Sequence, residues 1–75
     1  MTDLEKLQTV ADNINGKLRS YSGRGMYGKV CAGISCEDSV NCIVEAAECG
    51  IRGERVDSLG LGYIVYWPNI AYSKD

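Results

Sequence analysis

Lys17, Arg19, Arg24 and Lys29 place four positive charges in one short stretch, with Tyr21 and Tyr27 between them. No acid occurs between Asp12 and Glu37. Guanidinium and ammonium groups can meet phosphates or carboxylates, and phenol rings can stack on bases or anchor a protein contact. Gly23, Gly25 and Gly28 let the backbone turn or approach a partner closely. Tyr66, from an aromatic stretch near the C-terminus, is expected to share that exposed surface. The candidate partner-binding residues are therefore Arg19, Tyr21, Arg24, Tyr27, Lys29 and Tyr66.

The run Gly23-Arg-Gly-Met-Tyr-Gly28 matches the dinucleotide-binding fingerprint letter for letter. That motif needs a strand before it and a helix after it. Here the periodicity predicts a helix before and a strand after, so the match is read as chance.

Other chemistry is poorly provided for. The sequence has no His to act as a base near neutral pH. Its cysteines, Cys31, Cys36, Cys42 and Cys49, have the spacing C-x4-C-x5-C-x6-C. Structural zinc usually takes ligand pairs two to four residues apart, often with His. Disulfides go with an oxidising compartment. Idle or buried reduced thiols are the expectation, with zinc and disulfides as the alternatives. Cys36, just before a predicted helix, can feel the helix dipole, but Glu37 and Asp38 oppose a thiolate there. Glu45 and Glu48 fall on an outer helix face and read as solvated surface. No catalytic residue, metal site or cofactor is expected, and the chain reads as a non-enzyme.

Charge and hydropathy narrow the partners. The net charge of −2 over 75 residues gives no general attraction to long nucleic acid or anionic membrane. No apolar run approaches the roughly 18 residues of a membrane span. The polar start, Met-Thr-Asp-Leu-Glu-Lys, carries no signal-peptide core, so a cytoplasmic location is expected. A protein partner or a small anionic ligand fits better than a long polyanion.

The elements that must hold these residues follow from periodicity. Leu4, Leu7, Ala11, Ile14 and Leu18 recur at spacings of three and four and predict a helix over 3–20, capped by Thr2 or Asp3 and weakened at Gly16. A basic glycine loop follows over 20–28. A strand over 27–35 would turn Val30, Ala32 and Ile34 to the core and Tyr27, Lys29, Cys31 and Gly33 outward. A second helix over 37–49, with Ser35 or Asp38 as N-cap and Gly50 at its end, carries an apolar stripe of Val40, Ile43, Val44 and Ala47. That stripe would leave Cys42 and Cys49 facing solvent unless the first helix or a second subunit covers them. Strands over 51–58 and 62–67 follow, joined at Gly60-Leu-Gly62, the first suited to an edge and the second stopped by Pro68.

The sum is one small α+β domain over 1–75, in the order α-β-α-β-β. A three-stranded, mainly antiparallel sheet would carry two helices on one face. A chain this short buries only about 60% of its unfolded surface, so its stability is expected to be marginal. The Leu4–Leu18 stripe and the outward cysteines also admit a homodimer.

In size, mild acidity and helix–strand–helix–hairpin order, the chain resembles the very small proteins that bacteriophages use against host defences, of which anti-CRISPR proteins are the best known. The stretch Lys29-Val-Cys-Ala-Gly-Ile-Ser-Cys-Glu-Asp-Ser-Val40, a strand feeding a capped helix, is similar in pattern to units in such proteins. They share no common sequence fingerprint, so the resemblance carries over no functional residue. It implies a stoichiometric binder that occupies the surface of a host protein, in the host cytoplasm, or one that sequesters a signalling nucleotide.

Overall fold

The computed structural model describes residues 2–23 and 26–72. The element order is α1 (Asp3–Asn13), β1 (Lys17–Tyr21), β2 (Cys31–Cys36), α2 (Ser39–Glu48), β3 (Arg55–Leu59) and β4 (Gly62–Ala71). The four strands form one sheet in the order β1-β2-β4-β3, every neighbouring pair antiparallel. It follows that β2 and β3 run parallel with β4 inserted between them, and that α2 lies on the crossover connecting them.

The fold is α+β with two helices, as expected, but the sheet has four strands rather than three. The extra strand comes from residues assigned to the first helix. That helix begins on a capping box: Thr2 Oγ1 accepts from the Glu5 N–H at 3.2 Å and the Thr2 N–H donates to Glu5 Oε1 at 2.9 Å. It stops at Asn13 and not at residue 20. Asn15 adopts a left-handed φ of 60°, the Gly16 N–H donates to the Ala11 carbonyl at 2.8 Å, and the Asn15 N–H donates to that of Asp12 at 3.4 Å. These two bonds are a Schellman motif with Asn in the left-handed position. α2 ends the same way: Gly50 has φ 82°, and the N–H groups of Ile51 and Gly50 donate to the carbonyls of Ala46 and Ala47. Past the first of these caps, Lys17-Leu-Arg-Ser-Tyr21 is extended and pairs with β2.

The other boundaries move less. The strand expected from residue 27 starts at Cys31, so the glycine loop is the β1–β2 connection over 22–30. α2 starts at Ser39, with the Asp38 carboxylate capping the Asn41 N–H at 3.1 Å. β3 starts four residues later than expected, at Arg55. β4 runs through Pro68 to Ala71 and does not stop there. Ala32 pairs with Trp67 and Cys31 with Ala71, so Pro68 sits in a bulge facing β2, and β3 has already ended opposite Tyr66. A residue without an N–H is tolerated there.

The main core lies between the helices and one sheet face. Leu7, Val10 and Ala11 of α1 meet Ala32, Ile34, Val65 and Trp67 of the sheet and Cys42 and Ala46 of α2, with Ile51 and Ile70 closing the ends. α2 is rotated relative to the sequence expectation. Cys42 is fully buried and Cys49 packs against the core, whereas Val40 and Val44 are 67% and 50% exposed. Small side chains on the inward face let the helix approach a sheet that already carries Trp67, the largest buried side chain. The apolar stripe of α1 faces this same core, so it does not form a seam for a second subunit.

Candidate binding surface

Among the described residues the second sheet face carries no helix. Register places Lys17, Ser35, Ile64 and Asp57 in one row across it, and Arg19, Gly33, Tyr66 and Arg55 in the next. Gly33 matters because it has no side chain. A Cβ there would lie 3.1 Å from Ile64 Cδ1 and 3.3 Å from Tyr21 Cβ. Tyr21 crosses that open position, so its ring centroid lies 4.8 Å from that of Tyr66, tilted by 45°. Its hydroxyl donates to Asp57 Oδ2 at 2.6 Å, joining the first strand of the sheet to the last. This bond to the carboxylate is the main reason the Tyr21 phenol is pushed up to about 12, since ionisation would set two negative charges against each other.

A small second core sits under this arrangement. Cys31, Ile64 and Tyr66 are buried there, with Tyr21 and Met26 packed on them. Cys31 was expected to face outward. It is covered because the loop folds back over the end of the sheet. The Gly23 N–H points at Met26 Sδ at 3.1 Å, and the Cys31 thiol lies 3.8 Å from the same sulfur. Gly23 itself lies on Tyr66: a Cβ there would come within 2.7 Å of the ring, so a larger residue would have to displace the Tyr66 phenol.

The loop's outer half faces solvent. Tyr27 is 95% exposed with φ 51°, an uncommon conformation for a tyrosine. The Met26 N–H donates to the Gly23 carbonyl at 3.2 Å and the Lys29 N–H to that of Met26 at 3.1 Å, which fixes the turn on which Tyr27 stands. Beside it a groove of about 370 Å³ is lined by Met26, Tyr27, Lys29, Val30, Pro68, Asn69 and Ala71.

The residues singled out from sequence thus fall in two adjoining places. Arg19, Tyr21 and Tyr66 lie on the open face, and Tyr66 is largely covered. Tyr27 and Lys29 line the groove at the loop, and Met26 belongs to both regions. Arg24 lies outside the described residues. Lys17 leaves the cluster: it borders a separate hollow of about 730 Å³ at the other end of the sheet, with Glu37 and Asp38. The extended backbone of β1 spreads the charges that look adjacent in sequence.

Sequence reasoning missed Asp57 and Arg55. Their alternation around Val56 was the available signal, but reading it required knowing which strand sits beside β4. The nucleotide-type glycine string joins two strands, so a strand rather than a helix precedes it, and the helix the motif needs after it is still lacking. Burial pushes Cys36 up and Cys42 up to about 12. The Glu45 carboxyl is raised chiefly by a side-chain hydrogen bond with Glu48, on a solvated helix flank. No helix among the described residues is long and apolar enough to cross a membrane.

Comparison of the chain with protein-family models, curated proteins and solved structures found no match in any of the three.

Proposed function

We propose that this chain is a non-enzymatic protein-binding inhibitor or adaptor that engages its partner through the loop end of the sheet. The observation that carries this reading is Tyr27, almost wholly exposed in a left-handed backbone conformation beside a groove with an apolar floor. A non-glycine residue in that region costs on the order of 1 kcal/mol or more, and such strain collects at sites of contact. Tyrosine is among the residue types that anchor protein interfaces. With Lys29 and the half-exposed Val30 it offers an aromatic, a positive charge and an aliphatic contact in one place. The complementary partner surface presents an apolar side chain to the groove and a carboxylate to Lys29. The resemblance in size and mild acidity extends the proposal to a phage protein acting on a bacterial defence complex in the host cytoplasm.

Sequestering of a small anionic ligand is the less favoured reading. The hollow on the open face, about 580 Å³ and lined by Tyr21, Arg55, Asp57, Ser58 and Tyr66, sets the Asp57 carboxylate beside the Arg55 guanidinium, which offsets the attraction for an anion. The absence of His from the sequence and the raised Cys36 and Cys42 thiols favour binding over catalysis.

The test compares the tagged chain with a Tyr27→Ala, Lys29→Glu double variant in capture from bacterial lysate, with native mass spectrometry of the eluate. A stoichiometric protein held by the parent and released by the variant, at unchanged melting temperature, is the expected result. Equal capture by both would place the contact elsewhere. A parent chain carrying only a small added mass would favour the ligand reading.

A further inference from the structure

Among the described residues the sheet is open at both ends, so β1 and β3 each present an unpaired edge. Such edges invite another strand unless something blunts them. β1 carries Lys17 and Arg19 on the open face, both exposed. Pairing β1 with a copy of itself would set like charges opposite each other, which is destabilising. β3 differs. Its sequence, Arg55-Val-Asp-Ser-Leu59, holds one base and one acid on the same face, two residues apart, with Val56 between them on the helix-bearing face.

We infer that β3 pairs antiparallel with β3 of a second copy about a two-fold axis at Val56, continuing the sheet across the pair of molecules. In that register Arg55 of each copy stands opposite Asp57 of the other, and Val56 meets Val56. The backbone supports the same register. The two-residue turn at Gly60 and Leu61 closes on the Leu59–Gly62 pair, which exchanges hydrogen bonds across the hairpin. Antiparallel ladders alternate, so Leu59, Asp57 and Arg55 direct their N–H and C=O groups to β4, and Val56 and Ser58 direct theirs to the open edge. Val56 opposite Val56 then forms a hydrogen-bonded pair. The flanking Arg55–Asp57 pairs are of the non-hydrogen-bonded kind, in which side chains come closest.

The side chains are available for this contact. Asp57 accepts from Tyr21 on Oδ2, which leaves its other oxygen for a guanidinium. Arg55 is exposed, and Val56 is 40% exposed. The alternative register about Asp57 would place two carboxylates face to face. The contact is short, so the dimer is a weak one and salt-sensitive. It uses different residues from the Tyr27 groove, so neither reading depends on the other.

The test is sedimentation of the full chain from about 10 µM to 1 mM, spanning the range of weak specific association, with amide exchange read by NMR over the same range. A monomer–dimer equilibrium with concentration-dependent protection of the Val56 and Ser58 amides is expected. Arg55→Asp should weaken the dimer about tenfold or more, because both symmetric pairs turn repulsive. An equimolar mixture of Arg55→Asp and Asp57→Arg chains should restore association as a heterodimer. Val56→Pro removes only an outward-facing N–H, a substitution an edge strand accepts, and should abolish the dimer with the monomer still folded. A monomer throughout the range, or a dimer indifferent to Arg55→Asp and unprotected at Val56 and Ser58, overturns the inference.

Discussion

The bond from Tyr21 to Asp57 is the one side-chain hydrogen bond in the described residues that joins opposite ends of the sheet, and Tyr21→Phe isolates it. The substitution removes a hydroxyl and leaves the ring to pack on Tyr66 at the same 4.8 Å spacing. A hydrogen bond to a charged acceptor contributes about 1.5–3 kcal/mol when buried. Here both partners are only partly covered, and water can replace some of what Asp57 loses. The expected loss is therefore about 1 kcal/mol, which in a domain of this size lowers the melting temperature by roughly 4–8 °C. Urea unfolding followed by the fluorescence of Trp67, the sole and fully buried tryptophan, measures it. Adding Asp57→Ala completes a double-mutant cycle, whose coupling should account for most of the loss.

The pH dependence provides a second arm. The folded-state pKa of Tyr21, about 12, lies above its ordinary value of about 10. A raised folded pKa stabilises the fold fully below the unfolded pKa, and that contribution disappears as pH climbs through the folded one. The parent's advantage over Tyr21→Phe should thus be constant up to about pH 10 and shrink between about pH 10 and 12. Equal stability of the two chains at neutral pH, or a coupling within about 0.3 kcal/mol of zero, would refute the reasoning.

Two further predictions address the orientation of α2. Alkylation of the native chain at pH 8, mapped by mass spectrometry, should modify Cys49 first and Cys36 more slowly, because burial raises the Cys36 thiol. The buried Cys31 and Cys42 should react only on unfolding, and labelling of Cys42 at the rate of Cys49 would mean that the helix is turned the other way. Val44→Asp, on the outward face, should change stability by no more than about 0.5 kcal/mol, whereas Ala46→Asp, fully buried, should cost several kcal/mol or prevent folding. Denaturation curves of the two variants decide between the orientations.

Much of this architecture is legible in local sequence. Thr2 with Glu5, Asp38 before the second helix, and Gly50 after it are short-range signals, because a cap bonds to a backbone three or four residues away. The Gly60-Leu61 turn and the two-faced apolar run of Tyr63–Trp67 belong to the same category. The end of α1 was also written locally, in Asn15-Gly16. But Leu18 continues the helical spacing from Ile14 as well as it starts a strand, and only pairing with β2 separates the two readings. The face of α2 was decided at longer range. Its valines are the more apolar set, yet Cys42 and Ala46 turn inward with Ile43 beside them, packing above Ala32, Ile34, Val65 and Trp67.

The candidate surface divides along the same line. Residue types within 17–29 identify a stretch rich in basic and aromatic residues without reference to any other part of the chain. Which of those residues share a surface is a tertiary matter. Gly33 opens a path for Tyr21, Asp57 arrives from the far strand to receive its hydroxyl, and Met26 closes over Cys31 and leaves Tyr27 exposed. Sequence alone determined the chemistry available and most of the kinds of element, β1 excepted, because both depend largely on neighbours within a few residues. The tertiary structure decided which charges meet and which thiols are hidden, because strand order and core volume depend on residues far apart in the chain.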